Sequence, residues 1–207
     1  MRESMNKTYP TWKRFEDIVG AIAGMLFFLP FAPFVALAVK LEHPKSPVLV
    51  RLPRISGGEI IMIYKFRNMV PDADKMKPGL AHLNERADGP FFKIRKDPRV
   101  TRVGRVLRKF RIDEFPQLLN VLKGELSLVG PRPHEPGEVD KYPPEYRHVP
   151  MARAGATGLS QVSGASSLPF EKELELDSLY LARQSLFIDT KIILKTVLIL
   201  FSDPTAV

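Results

Sequence analysis

From Ile18 to Val39 the chain runs 22 residues without a charge. At about 1.5 Å per residue a helix of that length reaches roughly 33 Å, enough for the hydrocarbon core of a bilayer. Pro30 and Pro33 sit in its second half. Each proline lacks a backbone donor and crowds the carbonyl four residues back, so the pattern predicts a helix that enters membrane and breaks. Lys7, Lys13 and Arg14 precede the run, and Lys40, Lys45, Arg51 and Arg54 follow it. Cations on both flanks favour placing both ends on the cytoplasmic side. On pattern alone a kinked single-pass anchor stays open, because transmembrane helices accept proline. A secretory signal is disfavoured, since its apolar region is about 7 to 15 residues long. Ala36-Leu37-Ala38 imitates a cleavage site only weakly.

The 207 residues suffice for one domain plus an anchor, and 44% apolar residues suffice for a core. A net charge of +8 and a pI near 9.7 favour anionic partners such as lipid headgroups, phosphates or nucleic acid. The absence of cysteine excludes disulfides, thiolate metal sites and a cysteine nucleophile. There is no Gly-x-Ser-x-Gly elbow, no Gly-x-Gly-x-x-Gly and no Gly-Lys-Ser phosphate loop, and the four histidines lack metal-ligand spacing. Hydrolase, dinucleotide and nucleotide-triphosphatase readings lose support.

Val48-Arg51 and Ile60-Tyr64 around Gly57-Gly58 predict a hairpin. Val70 to Pro90 reads as a mobile polar loop with one short helix. Val103, Val106, Leu107 and Phe110 recur at helical spacing among arginines and lysine, which predicts a basic amphipathic helix. Lys93 to Arg111 holds nine basic residues and one acidic residue, Asp97. Such a segment can follow a nucleic-acid backbone, an anionic membrane surface or substrate phosphates, and the neighbouring apolar run favours the last two. Glu114 to Lys123 reads as a helix with Asp113 as N-cap, Pro116 in its first turn and Gly124 as its stop. Six prolines between Pro131 and Pro150 predict an extended loop. Phe170 to Gln184 and Asp189 to Phe201 read as helices, the second as an interfacial one.

The most informative polar stretch is Arg111-Ile112-Asp113-Glu114-Phe115-Pro116-Gln117. Adjacent carboxylates at a helix start, with cations close by, favour the ionised form. One carboxylate can attack phosphorus, the other can serve as base, and their oxygens can hold Mg²⁺ against a diphosphate. Helix capping explains the same residues without chemistry. Gly130-Pro131-Arg132-Pro133 holds an arginine on a stiff backbone, suited to phosphate or to a plain surface turn. Lys65 and Arg67 share one side of a strand by period two, again a phosphate pair or an exposed face. Asp72-Ala73-Asp74 has the spacing of a metal-binding pair, but in a proline-flanked loop it reads as solvated.

In this order, the broken apolar run, Tyr64-Lys65-Phe66-Arg67, Phe92-Lys93 with Asp97-Pro98-Arg99, Asp113-Glu114-Phe115-Pro116-Gln117, Gly130-Pro131-Arg132-Pro133 and Thr157-Gly158-Leu159-Ser160-Gln161-Val162-Ser163-Gly164 resemble the bacterial sugar transferases, monotopic polyprenyl-phosphate phosphoglycosyl transferases. The resemblance runs from about Trp12 to Val197. It implies an α-rich α+β monotopic membrane protein with a re-entrant helix, interfacial amphipathic helices and a small β-hairpin. Residues 1–45 would carry the re-entrant segment, and 46–207 the catalytic domain, on the cytoplasmic face of the bacterial inner membrane.

The implied reaction passes a sugar 1-phosphate from a UDP-sugar to undecaprenyl phosphate with release of UMP, the first membrane step of surface-glycan assembly. Asp113 matches the family's nucleophile, with Mg²⁺ beside it, and Glu114 its partner acid. Lys65, Arg108 and Arg132 match cations inferred to bind phosphate, and Asp189 a positioning acid. Pro30 matches the helix-breaking proline. Membrane lipids are implied partners, nucleic acid is not, and self-association is left open. Leu29 stands where Ser is frequent, Ala154-Gly155-Ala156 where Pro-Gly-Ile is usual, and Ala165 where Arg is common. Larger members carry extra transmembrane helices and a regulatory domain, which are not expected here. A catalytically inactive membrane scaffold of a glycan assembly complex is the alternative from another functional class.

Overall fold

The computed structural model describes residues 9–86, 88–164 and 167–202. Helix α1 spans Thr11–Phe28 and α2 spans Ala32–Glu42, the two bent by 64°. Leu29 still donates its N–H to Met25 O at 2.8 Å, but Pro30 has none to give to Leu26, and the chain turns there. Pro33 does not break the helix, contrary to expectation. It lies in the first turn of α2, where its missing donor costs nothing. Among the described residues no single helix is long and apolar enough to cross a membrane, although the bent pair together has the length and composition.

Strands β1 (Leu49–Ser56) and β2 (Glu59–Phe66) form the predicted antiparallel hairpin, pairing Leu49 with Phe66 and Ser56 with Glu59. Gly57 and Gly58 adopt φ of 63° and 77°, the left-handed pair that a two-residue hairpin turn demands. A short helix α3 (Ala73–Met76) and a 3-10 turn (Pro78–Leu83) follow. Helix α4 spans Arg102–Lys109 and is capped twice. Thr101 Oγ1 accepts from Gly104 N at 2.9 Å, and the Glu42 carboxylate at the end of α2 accepts from Arg102 N at 2.8 Å and Val103 N at 3.1 Å. The bent pair is thus fastened to α4. The apolar residues at α4 divide: Val103 and Leu107 pack with Val39 and Phe66, whereas Val106 and Phe110, just past the end of the helix, face outward.

After α4 the chain passes through Arg111 at φ 52° into a 3-10 turn, Ile112–Glu114, before α5 (Gln117–Lys123), which Gly124 terminates at φ 84°. Asp113 therefore caps no helix, because α5 begins four residues later. Strand β3 (Ser127–Val129) pairs in parallel with β4 (Gly155–Thr157), Ser127 opposite Gly155 and Val129 opposite Thr157. The proline-rich segment between them is less extended than expected. It holds helix α6 (Pro136–Val139) and 3-10 turns at Pro144–Tyr146 and Val149–Met151. Helices α7 (Leu159–Val162), α8 (Phe170–Arg183) and α9 (Leu186–Ser202) complete the α+β fold.

The main core gathers Ala21 of α1, Ile63 of β2, Val121 of α5, Leu126 and Ala154. A buried charge cluster ties α1 to the far end of the chain. Lys13, fully buried, contacts Asp189 of α9 and lies 3.1 Å from Glu16 and 3.9 Å from Asp17. Asp17 Oδ1 accepts from Ser127 Oγ at 2.9 Å and Leu128 N at 2.7 Å, and Asp189 Oδ1 accepts from the Tyr180 hydroxyl at 2.8 Å.

Gly104 is the tightest helix contact near the hairpin: a Cβ there would stand 1.9 Å from Asn68 O. An alanine inside a helix ordinarily gains about 1 kcal/mol over glycine. Here overpacking against fixed backbone, about 1–3 kcal/mol, opposes and exceeds that gain. Gly104→Ala is expected to lower the thermal denaturation midpoint, and an unchanged or raised midpoint would refute this packing.

Candidate active site

The end of β2, the 3-10 turn after α4 and the segment after β3 converge on one cavity of about 400 Å³. β2 supplies Lys65, and the residue two beyond its end is Asn68. α4 supplies Arg108 in its last turn, and the 3-10 turn supplies Asp113 and Glu114. Arg132 arrives on the backbone crossing where Gly130 N donates to Thr157 O at 2.9 Å and Gly155 N to Pro131 O at 2.8 Å. Gly155 makes the crossing possible, since a Cβ on it would lie 2.1 Å from Gly130 N.

Asp113 is 4% exposed. Its Oδ2 accepts from Asn68 Nδ2 at 2.6 Å, while its buried Oδ1 has no hydrogen-bond partner among the described residues. Burial pushes the Asp113 carboxyl above the usual carboxylate range, with Lys65 and Arg108 pulling against it and Glu114 adding to it. That differs from the expectation that both acids favour ionisation, because the carboxylate is deeper than a helix cap would be. Glu114 behaves in the opposite way. Burial would raise it, but the Lys65 ammonium, 2.6 Å away, helped by Arg132 and Arg111, outweighs that and holds it down at about 2. Two neighbouring carboxyls are driven apart by environment.

Nine cations and seven carboxylates line the cavity among the described residues, a net positive surface suited to an anionic ligand. Many of these are paired: Arg99 with Asp97 at 2.6 Å, Lys77 with Glu135 at 2.9 Å, and Arg132 near Glu173 at 3.7 Å. Arg132 is therefore not a solvated turn residue, since its N–H also donates to Asp177 Oδ2 at 3.0 Å.

Lys65, Arg108, Arg132, Asp113 and Glu114 share this cavity, but Asp189 does not line it. Lys13 and Tyr180 hold Asp189 in the buried cluster instead. Arg67 also stays away: β2 ends at Phe66, the period-two relation lapses, and Arg67 Nε donates to Pro47 O at 2.9 Å. Asp72 and Asp74 are exposed, as the loop reading anticipated. Ala154 uses its N–H, which a proline would lack, to donate to Ser56 Oγ at 3.0 Å. Ala165 lies outside the described residues.

The sequence reading missed Asn68, Glu173, Asp177 and His134. His134 is buried, contacts the Tyr142 hydroxyl, lies 3.1 Å from Glu173 and stacks on Phe91 at 4.5 Å between centroids. A signal did exist on α8, where Glu173, Asp177 and Tyr180 share one helical face with Leu174 and Phe170.

A second cavity, of about 480 Å³ and apolar, adjoins the first. Met25, Phe28, Leu29, Ala32 and Pro33 from the bent pair meet Phe66, Phe115 and Pro116 there. Phe66 lines both cavities, and Phe28 stacks on Phe115 at 4.4 Å.

Residues 8–203 match the family model described as bacterial sugar transferase. The chain belongs to the bacterial sugar transferase family. It is 43% identical over 196 residues to the UDP-glucose:undecaprenyl-phosphate glucose-1-phosphate transferase of Caulobacter vibrioides, covering 89% of this chain and 68% of that protein. It is 40% identical over 186 residues to the galactosyl transferase CpsE of Streptococcus agalactiae serotype III, covering 89% of this chain and 41% of that one. The exopolysaccharide production protein PSS of Rhizobium leguminosarum bv. phaseoli is 36% identical over 197 residues, covering 89% and 92%. The chain spans only 39–41% of the length of several relatives.

In this member of the family, Asp177 behind Arg132 is fully buried and raised to about 6 by that burial, with Ser160 and the Arg132 N–H pulling it down. A folded-state pKa above the unfolded value means that ionisation near neutral pH costs stability, a cost that shrinks as pH falls through the folded value and is gone only below the unfolded one. Asp177→Asn keeps an acceptor for the Arg132 N–H and removes the charge. It is expected to stabilise the protein by on the order of 2 kcal/mol at pH 8, with the gap to wild type closing below about pH 4. Thermal melts at the two pH values check this, and a gap independent of pH would refute it.

Proposed function

We propose that this protein transfers a sugar 1-phosphate from a UDP-sugar to undecaprenyl phosphate, through a phospho-sugar intermediate on Asp113, on the cytoplasmic face of the bacterial inner membrane. The observation that carries the reading is a buried carboxylate with one unpartnered oxygen, in a cationic cavity that shares the Phe66 wall with an apolar one. A lipid phosphate needs both environments side by side. The names of two relatives support the two substrates, one being a UDP-glucose:undecaprenyl-phosphate glucose-1-phosphate transferase and the other a UDP-N-acetylgalactosamine-undecaprenyl-phosphate N-acetylgalactosaminephosphotransferase.

In the first displacement an Asp113 oxygen attacks the phosphorus that bears the sugar. The bond from that phosphorus to the bridging oxygen breaks, and UMP departs with the electron pair. In the second, an oxygen of undecaprenyl phosphate attacks the same phosphorus and frees the carboxylate. Lys65, Arg108 and Arg132 offset the phosphate charge in a site where burial strengthens their pull. Glu114, held near 2, is a poor proton acceptor at neutral pH, so its part is to orient Lys65.

Mg²⁺ is ordinarily held by one or two carboxylates together with substrate phosphates and water. No group of three acidic or histidine ligands occurs among the described residues. That donor set fits a Mg²⁺ ion carried largely by the diphosphate, with Asp113 Oδ2, which keeps a lone pair beyond its bond from Asn68, as the protein oxygen that would hold it and Oδ1 left to attack. When bound, the ion would supply charge neutralisation to the diphosphate.

The bent pair exposes Phe15, Leu26, Phe27, Phe34 and Leu41, each at least 65% exposed, and α9 exposes Phe187, Leu194 and Leu198. Exposed apolar surface on this scale marks a lipid or protein contact. A break at Pro30 with cations on both flanks supports re-entry from one side. Reporters fused before Met1 and after Val207 are expected on the cytoplasmic side together. Reporters on opposite sides would overturn re-entry.

The reaction is tested with purified protein, Mg²⁺, undecaprenyl phosphate and a panel of UDP-sugars, following UMP release. At least one sugar is expected to support turnover, and Asp113→Asn to lower it by 10³-fold or more, about the loss when a covalent nucleophile is removed. Turnover surviving in Asp113→Asn would overturn the covalent route, and binding without turnover on every sugar would favour the scaffold.

A further inference from the structure

We propose that Asn68 is the positioning residue for the reaction, holding the Asp113 carboxylate by Oδ2 so that Oδ1 is the oxygen left to attack. The inference rests on the reading of Asp113 as nucleophile. The Asn68 amide stands between two groups of opposite charge. Its Nδ2 donates to Asp113 Oδ2 at 2.6 Å, and its Oδ1 accepts from an Arg108 NH2 group at 3.4 Å. An amide offers a donor to the carboxylate and an acceptor to the guanidinium at once, from two separate atoms. The two contacts also fix which way the amide points.

A carboxylate free to rotate presents either oxygen in a range of directions, whereas in-line attack on phosphorus requires one oxygen at one angle. The hydrogen bond to Oδ2 removes that freedom. Because the same amide also touches Arg108, it sets the spacing between the attacking oxygen and a cation that meets the phosphate.

The backbone of Asn68 is held separately from its side chain. Its carbonyl accepts from Thr101 N at 3.1 Å, Met69 bridges Val100, and Val70 N donates to Arg99 O at 2.9 Å. Gly104 brings α4 directly against that carbonyl. α4 in turn is capped by Glu42 from α2. A substitution at the side chain therefore leaves the main-chain packing in place, and the effect read is that of the amide.

Asn68→Leu keeps the approximate shape, removes the donor and adds no charge beside Asp113, whereas Asn68→Ala removes shape and donor together. If Asn68 merely filled space, Asn68→Leu would be the milder change. As a positioning donor, Asn68→Leu should lose as much kcat as Asn68→Ala, about 10- to 100-fold, with KM for the UDP-sugar held within about twofold. UMP release and formation of the covalent phospho-sugar adduct in a single turnover are measured for both variants beside Asp113→Asn. Should Asn68→Leu lower the thermal midpoint, Asn68→Gln, which keeps the amide one methylene further out, carries the test and is expected to retain more kcat than Asn68→Ala. An Asn68→Leu enzyme that keeps wild-type kcat, or a loss confined to KM, would overturn the inference. Turnover persisting in Asp113→Asn would instead remove the nucleophile reading beneath it.

Discussion

Three carboxylates, Glu16, Asp17 and Asp189, gather round one fully buried ammonium, Lys13, and the placement of the site inherits from that cluster. Removing charges from water costs several kcal/mol per ion, so a cluster of this kind holds only when each member keeps its partners. Losing Lys13 alone would leave buried carboxylates uncompensated, at a cost of about 3–5 kcal/mol. The contacts are also widely separated in sequence. Asp17 fastens α1 to β3 through Ser127 and Leu128, and Asp189 fastens α9 to α8 through Tyr180. β3 runs directly into Gly130-Pro131-Arg132, so the position of Arg132 follows from where β3 is held.

Local rules made much of this fold legible. The hairpin follows from alternating apolar residues about Gly57-Gly58, the stop of α5 from Gly124, and the helix break from Pro30, each set by neighbours within a few residues. The same rules erred where tertiary contacts decide. Asp113 looked like a helix cap because the sequence does not reveal that Arg111 turns into the left-handed region and starts a 3-10 turn. Asp189, singled out by the family resemblance and by no local rule, is bound by Lys13, 176 residues away, a contact that no local pattern reveals. Five of the six expected site residues share one cavity, and the resemblance of ordered motifs, not periodicity, is what gathered them. Asn68 went unnoticed because an asparagine past a strand end has no signature until Asp113 is beside it.

The carboxyl pair shows why adjacent acids need not share a role. Glu114 spends its charge on Lys65, while Asp113 remains deep, raised by burial and fastened by one oxygen. A carboxylate whose charge is poorly solvated and whose second oxygen is unpartnered is a better nucleophile than one already neutralised by an ammonium at 2.6 Å. On the proposed reaction the arriving phosphates would take up Lys65, Arg108 and Arg132, and their own negative charge would push Asp113 further up unless a cation came with them.

The two cavities share Phe66 as a wall. The apolar cavity opens between Leu29-Pro33 and Phe115-Pro116, immediately after Asp113-Glu114 in the chain. Glu42 caps α4 from the end of α2, and α4 carries Arg108. The bent pair, the apolar cavity and Arg108 are therefore mechanically linked. A lipid chain seated in the apolar cavity would bring its phosphate to the cationic side of Phe66, and a straight helix in place of the break at Pro30 would remove the residues that form the far wall. The proline is thus as much a part of the proposed acceptor site as any charged residue within it.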